Sequence, residues 1–292
     1  MPHFGLKPAA AERASALIFL LPSLAGFILF YAYPFAIAAA VSFRTNGEGG
    51  GAIGLDHYAT VLGSESFLLA ARNSAQFGIT GVTLSVLLAL LIALALNRKL
   101  PLRRWLRSAF VLPLAVPAAS VVLLWRVLLE PQGIVNGWLA ASGLRTVDWM
   151  ESRYAFAVLT AVFLWKTAGY NVVLFLAALQ QVPRELHEAA QLDGAGAIRR
   201  FRSVTAVHLA PAGAFVVLLT TASAFKVFRE AYFVAGPYPH ESIYLLQHYM
   251  NNLFGELDLA KLAAAACLMA AGMLAVSAAL LGAERRIRGG ME

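Results

Sequence analysis

Long apolar segments separated by short basic ones constrain the fold of this chain more than any other feature of its sequence. Hydrophobic residues make up 60% of the 292 residues and charged residues 13%, whereas soluble domains contain about 25% charged residues. A run of about 20 apolar residues can cross a lipid bilayer as a helix, in which every backbone polar group bonds internally. The pattern therefore predicts an all-α integral membrane protein.

The apolar segments number six, and we interpret each of them as one transmembrane helix. Their bounds are 17–41, 77–96, 110–129, 154–179, 208–228 and 259–281. The first is too long for the apolar core of a signal peptide and lacks a convincing cleavage site, so we expect it to be retained. None of the polar segments is long enough to fold separately, so residues 1–292 are expected to form a single polytopic domain.

Basic residues are distributed unequally between the two sets of loops. One set holds Lys7, Arg13, Arg98, Lys99, Arg103, Arg104, Arg107, Arg184, Arg199, Arg200, Arg202, Arg285, Arg286 and Arg288. The opposite set holds only Arg44, Arg145, Arg153 and Arg229. Because loops rich in lysine and arginine stay in the cytoplasm, we expect both termini on the cytoplasmic side. An even number of spans agrees with this orientation.

The cytoplasmic segment 180–207 carries the most specific pattern in the chain. Val182–Pro183 favours extended backbone before a short helix, because the residue before a proline avoids the helical region. Gly194 can adopt the left-handed conformation that ends a helix, and Asp193 can cap the helix that follows. The sequence thus predicts two short helices at an angle, with Glu188–Ala190 presented outward.

This loop contains the pattern E-A-A-x-x-D-G-A-x-x-x-x-x-F, formed by Glu188, Ala189, Ala190, Asp193, Gly194, Ala195 and Phe201. The pattern resembles the coupling-loop signature of binding-protein-dependent ABC importer permeases. In that family the loop fits a cleft on the ATPase subunit, so the resemblance implies that these residues couple the chain to an ATPase. Val207 departs from the family, which usually has a proline there, although Pro211 is present. The alternative is a loop that merely joins two spans.

Other parts of the chain resemble the same family, and most closely its maltose and glycerol-phosphate type. Gly54–Tyr58 is similar to a G-L-x-N-Y stretch after the first span, and 110–117 has the pattern F-x-L-P-x-x-x-P. Phe225 and Phe228 match paired phenylalanines of the family, but Arg229 stands where an acidic residue is usual. The resemblance covers nearly the whole chain and implies the six-helix fold of type I ABC importer permeases.

The resemblance also implies partners and a location. It predicts a permease subunit of an ATP-binding-cassette importer in the bacterial inner membrane, surrounded by membrane lipid. Its protein partners would be an ABC ATPase subunit dimer, a second permease subunit and an extracytoplasmic solute-binding protein. The second permease is expected to be a different but similar chain, and the small-molecule substrate a carbohydrate, a polyol or a glycerophosphate. ATP would bind to the partner ATPase, so no cofactor is expected in this chain.

Sequence patterns of catalytic sites do not occur in the chain. It has no G-x-x-x-x-G-K-[ST] phosphate loop, no H-E-x-x-H, no G-x-S-x-G and no metal-ligand spacing of cysteine and histidine. The net charge of +7 comes from basic residues at span ends and does not suggest nucleic acid binding. We therefore predict no enzyme activity, no metal and no nucleic acid, and we interpret the isolated His208 and His248 as structural.

Polar side chains inside the apolar spans are expected to face a bundle interior or a water path, because lipid does not solvate them. The fourth and fifth spans hold Lys166, Thr167, Tyr170, Asn171, Thr220, Thr221, Ser223 and Lys226. Hydroxyls, an amide and an aromatic ring suit a polyol or a sugar, but hydrogen bonds between helices use the same residue types.

The candidate residues of the substrate path are Tyr170, Asn171, Thr167, Thr220 and Ser223. Tyr170 and Thr220 are favoured, because in the resembled family these parts of the two spans meet around the substrate. For Thr221 and Ser223 both interpretations stay open. Three cationic side chains can instead extend toward the membrane surface, namely Lys166, Lys226 and Arg229.

A stand-alone secondary transporter or channel is the alternative function. Such a protein is expected to have inverted repeats and paired acidic residues at the bilayer midplane. The sequence indicates neither feature, since Glu130, Glu230 and Asp258 all fall near span ends.

Overall fold

In the computed structural model, the residues described are 19–44, 53–97, 105, 109, 112, 116 and 118–289. This part of the chain is nearly all helical, and its β-structure is an isolated bridge between Arg44 and Ile53. Several sequence predictions lie outside the described residues. They concern Lys7, Arg13, Arg98, Lys99, Arg103, Arg104, Arg107 and most of the proline pattern in 110–117.

The helices of the described residues differ widely in length. They are α1 (Phe19–Ser42), α2 (Asp56–Leu62), α3 (Glu65–Asn97), α4 (Ala118–Leu129), α5 (Ile134–Ala141), α6 (Ala155–Gln181), α7 (Arg184–Leu192), α8 (Ala197–Arg200), α9 (Ala206–Ala224), α10 (Phe228–Ala235), α11 (Leu246–Gly255) and α12 (Leu259–Gly289). The described residues also contain two π-helical turns and one 3₁₀ turn. The π-helical turns are Ile28–Ala32 inside α1 and Phe201–Thr205 between α8 and α9, and the 3₁₀ turn is Glu241–Ile243.

Five helical segments in the described part of the chain are long and apolar enough to cross a membrane. They are Phe19–Ser42, Glu65–Asn97, Ala155–Gln181, Ala197–Ala235 and Leu259–Arg286. Each of them corresponds to one predicted span. The predicted span 110–129 is described as a continuous helix only from Ala118, where α4 begins, so its first part lies outside the described residues.

Helix α3 begins well before the apolar run that predicts it. It starts at Glu65 rather than at residue 77, because its buried face continues through Ala70 and Asn73. The Asn73 amide donates to the carbonyl oxygen of Tyr244 at 3.0 Å and ties the helix to the segment before α11. A helix needs only one face packed on protein, so hydropathy alone underestimated its length.

The fifth span also begins earlier than predicted, at Ala197 rather than at residue 208. Helical backbone continues from α8 through the π-helical turn Phe201–Thr205 into α9. The predicted coupling segment 180–207 is therefore helical over most of its length, and its second helix is continuous with a span.

Contacts divide the chain into two compact units. Of the described residues, the first unit comprises 19–44, 53–63 and 253–270, and the second comprises 64–97, 105, 109, 112, 116, 118–252 and 271–289. In the first unit, the hydroxyl groups of Ser42 and Tyr58 lie 2.7 Å apart, and Nε2 of His57 lies 2.8 Å from the carbonyl oxygen of Arg44. These contacts hold α2 against the end of α1.

In the second unit, α3, α6 and α9 pack against one another. The ring of Phe77 on α3 makes edge-on contacts with Phe163 and Phe156 on α6, at centroid distances of 5.3 and 6.1 Å. Further along α3, the small residues Ala89 and Ala93 are fully buried, and small side chains allow helix backbones to approach closely. This packing fixes the facing surfaces of α6 and α9, where the candidate path residues lie.

Candidate functional site

A tight turn joins the two short helices between the fourth and fifth spans. α7 ends at Leu192, and Asp193 is its C-cap. Gly194 has φ +75°, so the left-handed conformation predicted for this glycine is confirmed. The N–H of Gly194 donates to the carbonyl oxygen of Gln191 at 3.1 Å, and the N–H of Ala195 donates to that of Ala190 at 2.9 Å. These two bonds form the Schellman arrangement, which satisfies carbonyl groups at a helix end.

The predicted role of Asp193 as a cap of the next helix is wrong. The residue before α8 is Gly196, which has extended backbone and no side chain to offer, and Asp193 instead occupies the C-cap of α7. No side chain accepts a hydrogen bond at the start of α8.

The loop presents an exposed surface of mixed polarity. Leu192 and Ile198 keep 90% and 73% of their surface exposed, and Glu188 is exposed as well. Within the described chain Glu188 has no ion pair, while Arg200 donates to the side-chain oxygen of Gln191 at 3.1 Å. The predicted coupling residues all lie on this loop: Glu188, Ala189, Ala190, Asp193, Gly194 and Ala195.

Four polar side chains of α3, α6 and α9 form a hydrogen-bonded network inside the bundle. The amide of Asn171 donates to the Ser85 hydroxyl at 3.0 Å, and the Thr220 hydroxyl lies 3.1 Å from the Asn171 side-chain oxygen. The hydroxyls of Ser85 and Thr167 lie 2.7 Å apart. Ser85 and Asn171 are fully buried and Thr220 is nearly so, and these contacts meet the hydrogen-bonding needs of buried groups.

A cavity of about 170 Å³ lies beside this network. Its polar lining comes from α6, from the end of α9, from the turn after it and from α10, and consists of Lys166, Thr167, Tyr170, Ser223, Lys226 and Glu230. Of the predicted path residues, Tyr170, Thr167 and Ser223 line the cavity. Asn171 and Thr220 do not line it, and their side chains bond to each other in the network.

Two charged residues of the cavity form an ion pair that the sequence did not predict. The ammonium of Lys166 on α6 binds Oε1 of Glu230 on α10. The Glu230 side chain is only 4% exposed, whereas that of Lys166 is 37% exposed. A buried carboxylate needs a partner, because its desolvation costs several kcal/mol. Lys166 therefore does not extend toward the membrane surface, and Glu230, expected near a span end, is buried.

The other two cationic residues singled out in the sequence differ from Lys166. Lys226 lies in the turn between α9 and α10, has an exposed side chain and lines the cavity. Arg229, on the first turn of α10, is also exposed but is not part of the cavity lining. In the part of the chain that the structure describes, neither has an acidic partner.

His248 lies on α11, outside the membrane-spanning segments, and is fully buried. Its Nδ1 accepts from the N–H of Leu245 at 3.1 Å, and its ring packs edge-on against Phe228 at 4.7 Å. Burial lowers the pKa of the ring to about 4, so the imidazole is neutral at physiological pH. Among the described residues, no group of three or more histidine, cysteine, aspartate or glutamate side chains could hold a metal ion.

The amino-acid sequence is similar to those of known transport proteins. Residues 81–289 match the profile of the family described as binding-protein-dependent transport system inner membrane component. The sulfoquinovosyl glycerol transport system permease protein SmoG of Agrobacterium fabrum is 30% identical over 278 residues, which cover 92% of this chain and 90% of SmoG. The trehalose/maltose transport system permease protein MalF of Thermococcus litoralis is 33% identical over 206 residues, covering 69% of this chain and 70% of MalF.

The fold is similar to that of a chain in a solved bacterial alginate ABC transporter, determined in complex with an alginate pentasaccharide-bound periplasmic protein. The TM-score is 0.81, and the match covers 96% of this chain and 97% of the other at 23% sequence identity. The similarity confirms the all-α architecture predicted from the sequence.

Proposed function

Because this chain belongs to the family of binding-protein-dependent transport system inner membrane components, we propose that it is the permease subunit of an ABC importer. The observation that carries this function is the family match over residues 81–289, which includes the α7–α8 loop and nearly all of the described cavity-lining helices. Relatives such as SmoG match over most of their length and are named as permeases of sugar transport systems. The proposed substrate is therefore a carbohydrate or a related polyol or glycerophosphate.

The cavity supports a role as one side of a solute path. Tyr170 and Ser223 place hydroxyl groups along it, and hydroxyls exchange hydrogen bonds with the hydroxyls of a sugar. Its volume of about 170 Å³ is below the roughly 300–1,000 Å³ of most ligand sites. A second permease subunit would complete the path, and an extracytoplasmic binding protein would deliver the solute to it.

The helix that follows the α7–α8 turn supports a mechanism for coupling. α8 is continuous with α9 through Phe201–Thr205, and α9 carries Ser223 at the cavity. An ATPase subunit docked on the loop would therefore act on a helix that reaches the solute path. The ATPase dimer binds and hydrolyses ATP, and movement of the loop would be passed along the helix to the cavity.

The orientation of the loop follows from its basic residues. The segment 180–207 carries Arg184, Arg199, Arg200 and Arg202, and such loops stay in the cytoplasm. We expect a cysteine at Ala197, in a Cys267→Ser background, to react with an impermeant thiol reagent only in inverted membrane vesicles. Labelling of position 197 in intact cells would contradict both the orientation and the proposed docking of an ATPase.

ATP-dependent uptake tests the function. The chain, coexpressed with its partner permease and ATPase subunits, is purified and reconstituted into proteoliposomes with the binding protein. We expect the subunits to copurify. Radiolabelled trehalose, maltose and sn-glycerol 3-phosphate serve as probes, and we expect uptake of whichever of them is transported to require both ATP and the binding protein. Uptake by this chain alone, without ATP, would contradict the proposal and favour a stand-alone secondary transporter.

A further inference from the structure

The cavity beside α6, α9 and α10 carries more positive than negative charge. Its described lining contains two lysines, Lys166 and Lys226, and one acid, Glu230. Lys166 already binds the Glu230 carboxylate. Within the described part of the chain, the charge of Lys226 therefore has no counter-charge. Its side chain is exposed at the cavity, and a charged residue within a membrane-spanning segment usually faces a water-filled cavity or a ligand path.

The backbone holds Lys226 at the cavity. Its N–H donates to the carbonyl oxygen of Ser223 at 3.0 Å, and its carbonyl oxygen accepts from the N–H of Arg229 at 3.4 Å. These bonds form the turn between α9 and α10, so Lys226 lies one helical turn beyond Ser223. Arg229, three residues further along, does not line the cavity. The turn thus selects which of the two neighbouring cations reaches the path.

Uncharged polar groups of the same cavity suit hydroxyl groups of a solute. The Ser223 hydroxyl donates to the carbonyl oxygen of Leu219 at 3.0 Å, which leaves its lone pairs able to accept. The hydroxyl of Tyr170 makes no hydrogen bond within the residues that the structure describes. The cavity therefore offers an acceptor, a phenolic donor and one ammonium group.

From this arrangement we infer that the transported solute is a carbohydrate bearing an anionic group, either a carboxylate, a sulfonate or a phosphate, which Lys226 binds in the cavity. The inference rests on the proposed transport function and adds the charge of the substrate to it. A lysine ammonium is a compact point charge with three donors, so it accepts any of these anions without demanding one geometry. The ion pair of Lys166 and Glu230 has no net charge, so Lys226 determines the preference of the cavity for an anionic solute.

The test compares anionic and neutral solutes in the complete complex. Its subunits and binding protein are reconstituted in proteoliposomes, and uptake is measured for sulfoquinovose, glucuronate and sn-glycerol 3-phosphate against glucose and glycerol. We expect import of at least one anionic probe and no import of its neutral counterpart. Lys226→Gln should lower the uptake of the anionic probe about tenfold or more, because hydrogen bonds to charged groups are worth about 1.5–3 kcal/mol.

Two variants serve as controls. Lys226→Arg keeps the positive charge and should retain uptake within about threefold, since its guanidinium also binds oxyanions. Arg229→Gln removes a neighbouring exposed charge that does not line the cavity, and it should leave uptake unchanged. Loss of uptake in both glutamine variants would show that general surface charge is responsible and would overturn the inference.

A second measurement needs no knowledge of the solute. In a Cys267→Ser background, Ser223→Cys is modified with an anionic and with a cationic methanethiosulfonate reagent, and the ratio of the two rates is determined. We expect the ratio of the anionic to the cationic rate to be higher at position 223 than for a free thiol in solution, because a nearby positive charge concentrates anions. Lys226→Gln should lower this ratio several-fold. An unchanged ratio would overturn the inference even if none of the probes is imported.

The outcomes separate this inference from the proposed function. Import of a neutral sugar at an equal rate in Lys226→Gln would overturn the inference and leave the importer function standing. If Lys226→Gln lowers the uptake of neutral and anionic probes equally, Lys226 would bind a lipid phosphate instead of the solute. If Lys226→Gln loses the second permease from the purified complex, Lys226 would bind a carboxylate of that partner. Both results would overturn the inference. ATP hydrolysis that does not respond to the binding protein would instead contradict the proposed function.

Discussion

At the scale of single residues, the two partners of the ion pair between Lys166 and Glu230 differ in their exposure to solvent. The carboxylate is 4% exposed and the lysine side chain 37% exposed. A carboxylate left alone in that position has very little access to water, whereas a lysine left alone is more exposed. The two single substitutions should therefore differ in effect although they remove the same interaction.

We expect Lys166→Ala to destabilise the purified complex by about 3 kcal/mol, the lower end of the range for breaking a buried pair, and Glu230→Ala by about 1–2 kcal/mol. Thermal unfolding in detergent measures the difference. The double variant Lys166→Met/Glu230→Leu should recover most of the loss, since an apolar pair leaves no buried charge. Equal melting temperatures for Lys166→Ala and Glu230→Ala would contradict this account.

Because His248 is buried, the stability of the protein is expected to decrease as the pH falls. Burial lowers the pKa of the folded histidine to about 4, while the unfolded chain keeps the ordinary value of about 6.5. The unfolded state therefore takes up a proton first as the pH falls. The stabilising contribution is complete above about pH 6.5 and declines below it, by about 2 kcal/mol at about pH 5.

Replacement of this histidine should remove that dependence. We expect His248→Asn, whose side-chain oxygen can accept from the Leu245 N–H, to show a smaller loss of melting temperature between about pH 7 and about pH 5 than the parent. His208→Asn is the matched control, because that histidine has an exposed side chain on α9. An equal pH response in His248→Asn and the parent would contradict the assignment.

At the scale of elements, the polar network of Asn171 ties three helices together. Its amide bonds to Ser85 on α3 and its oxygen receives Thr220 on α9. We expect Asn171→Ala to lower stability by about 2 kcal/mol, because it leaves two buried hydroxyls with fewer partners. Val173→Ala on the same helix, where 42% of the side chain is exposed, should cost less than about 1 kcal/mol. Similar melting temperatures in the two variants would show that the network contributes no more to stability than ordinary packing does.

Elements of this chain could be predicted where hydropathy alone determines them. Five of the six apolar runs correspond to helices in the described residues that are long enough to cross a membrane, and the described part of the sixth run is helical from Ala118. The short helix Asp56–Leu62 and the first turns of α3 were missed, because contacts with other parts of the chain stabilise them rather than an apolar composition. Gly194 was predicted correctly, since a glycine after a short helix has a strong local preference for the left-handed region.

At the scale of the whole molecule, the sequence could identify the polar residues of α6 and α9 but not which of them would meet. Lys166 and Glu230 are separated by 64 positions, and their pairing depends on the turn that directs α10 back toward α6. The same turn places Lys226 at the cavity and Arg229 away from it. Sequence periodicity carries no information about such a turn, so the charged part of the site emerged only from the structure.

The loop that links the spans connects this cavity to the proposed partner ATPase. Gly194 and Gly196 offer a matched pair of sites, because a Cβ added at either meets nothing within 4 Å. They differ in backbone conformation: φ is +75° at Gly194 and −66° at Gly196. A valine disfavours the first conformation by about 1–3 kcal/mol and readily adopts the second. The pair therefore isolates the geometry of the turn from steric effects.

Copurified ATPase and ATP-dependent uptake, measured in the same membranes for Gly194→Val and Gly196→Val, test the proposed coupling most directly. Gly194→Val should reach normal membrane levels, because the strain lies far from the packed faces of the spans, and should lose bound ATPase, uptake or both. Gly196→Val should keep both. Parental ATPase binding and uptake in Gly194→Val would contradict the account, because the α7–α8 loop would then be only a connection between two spans.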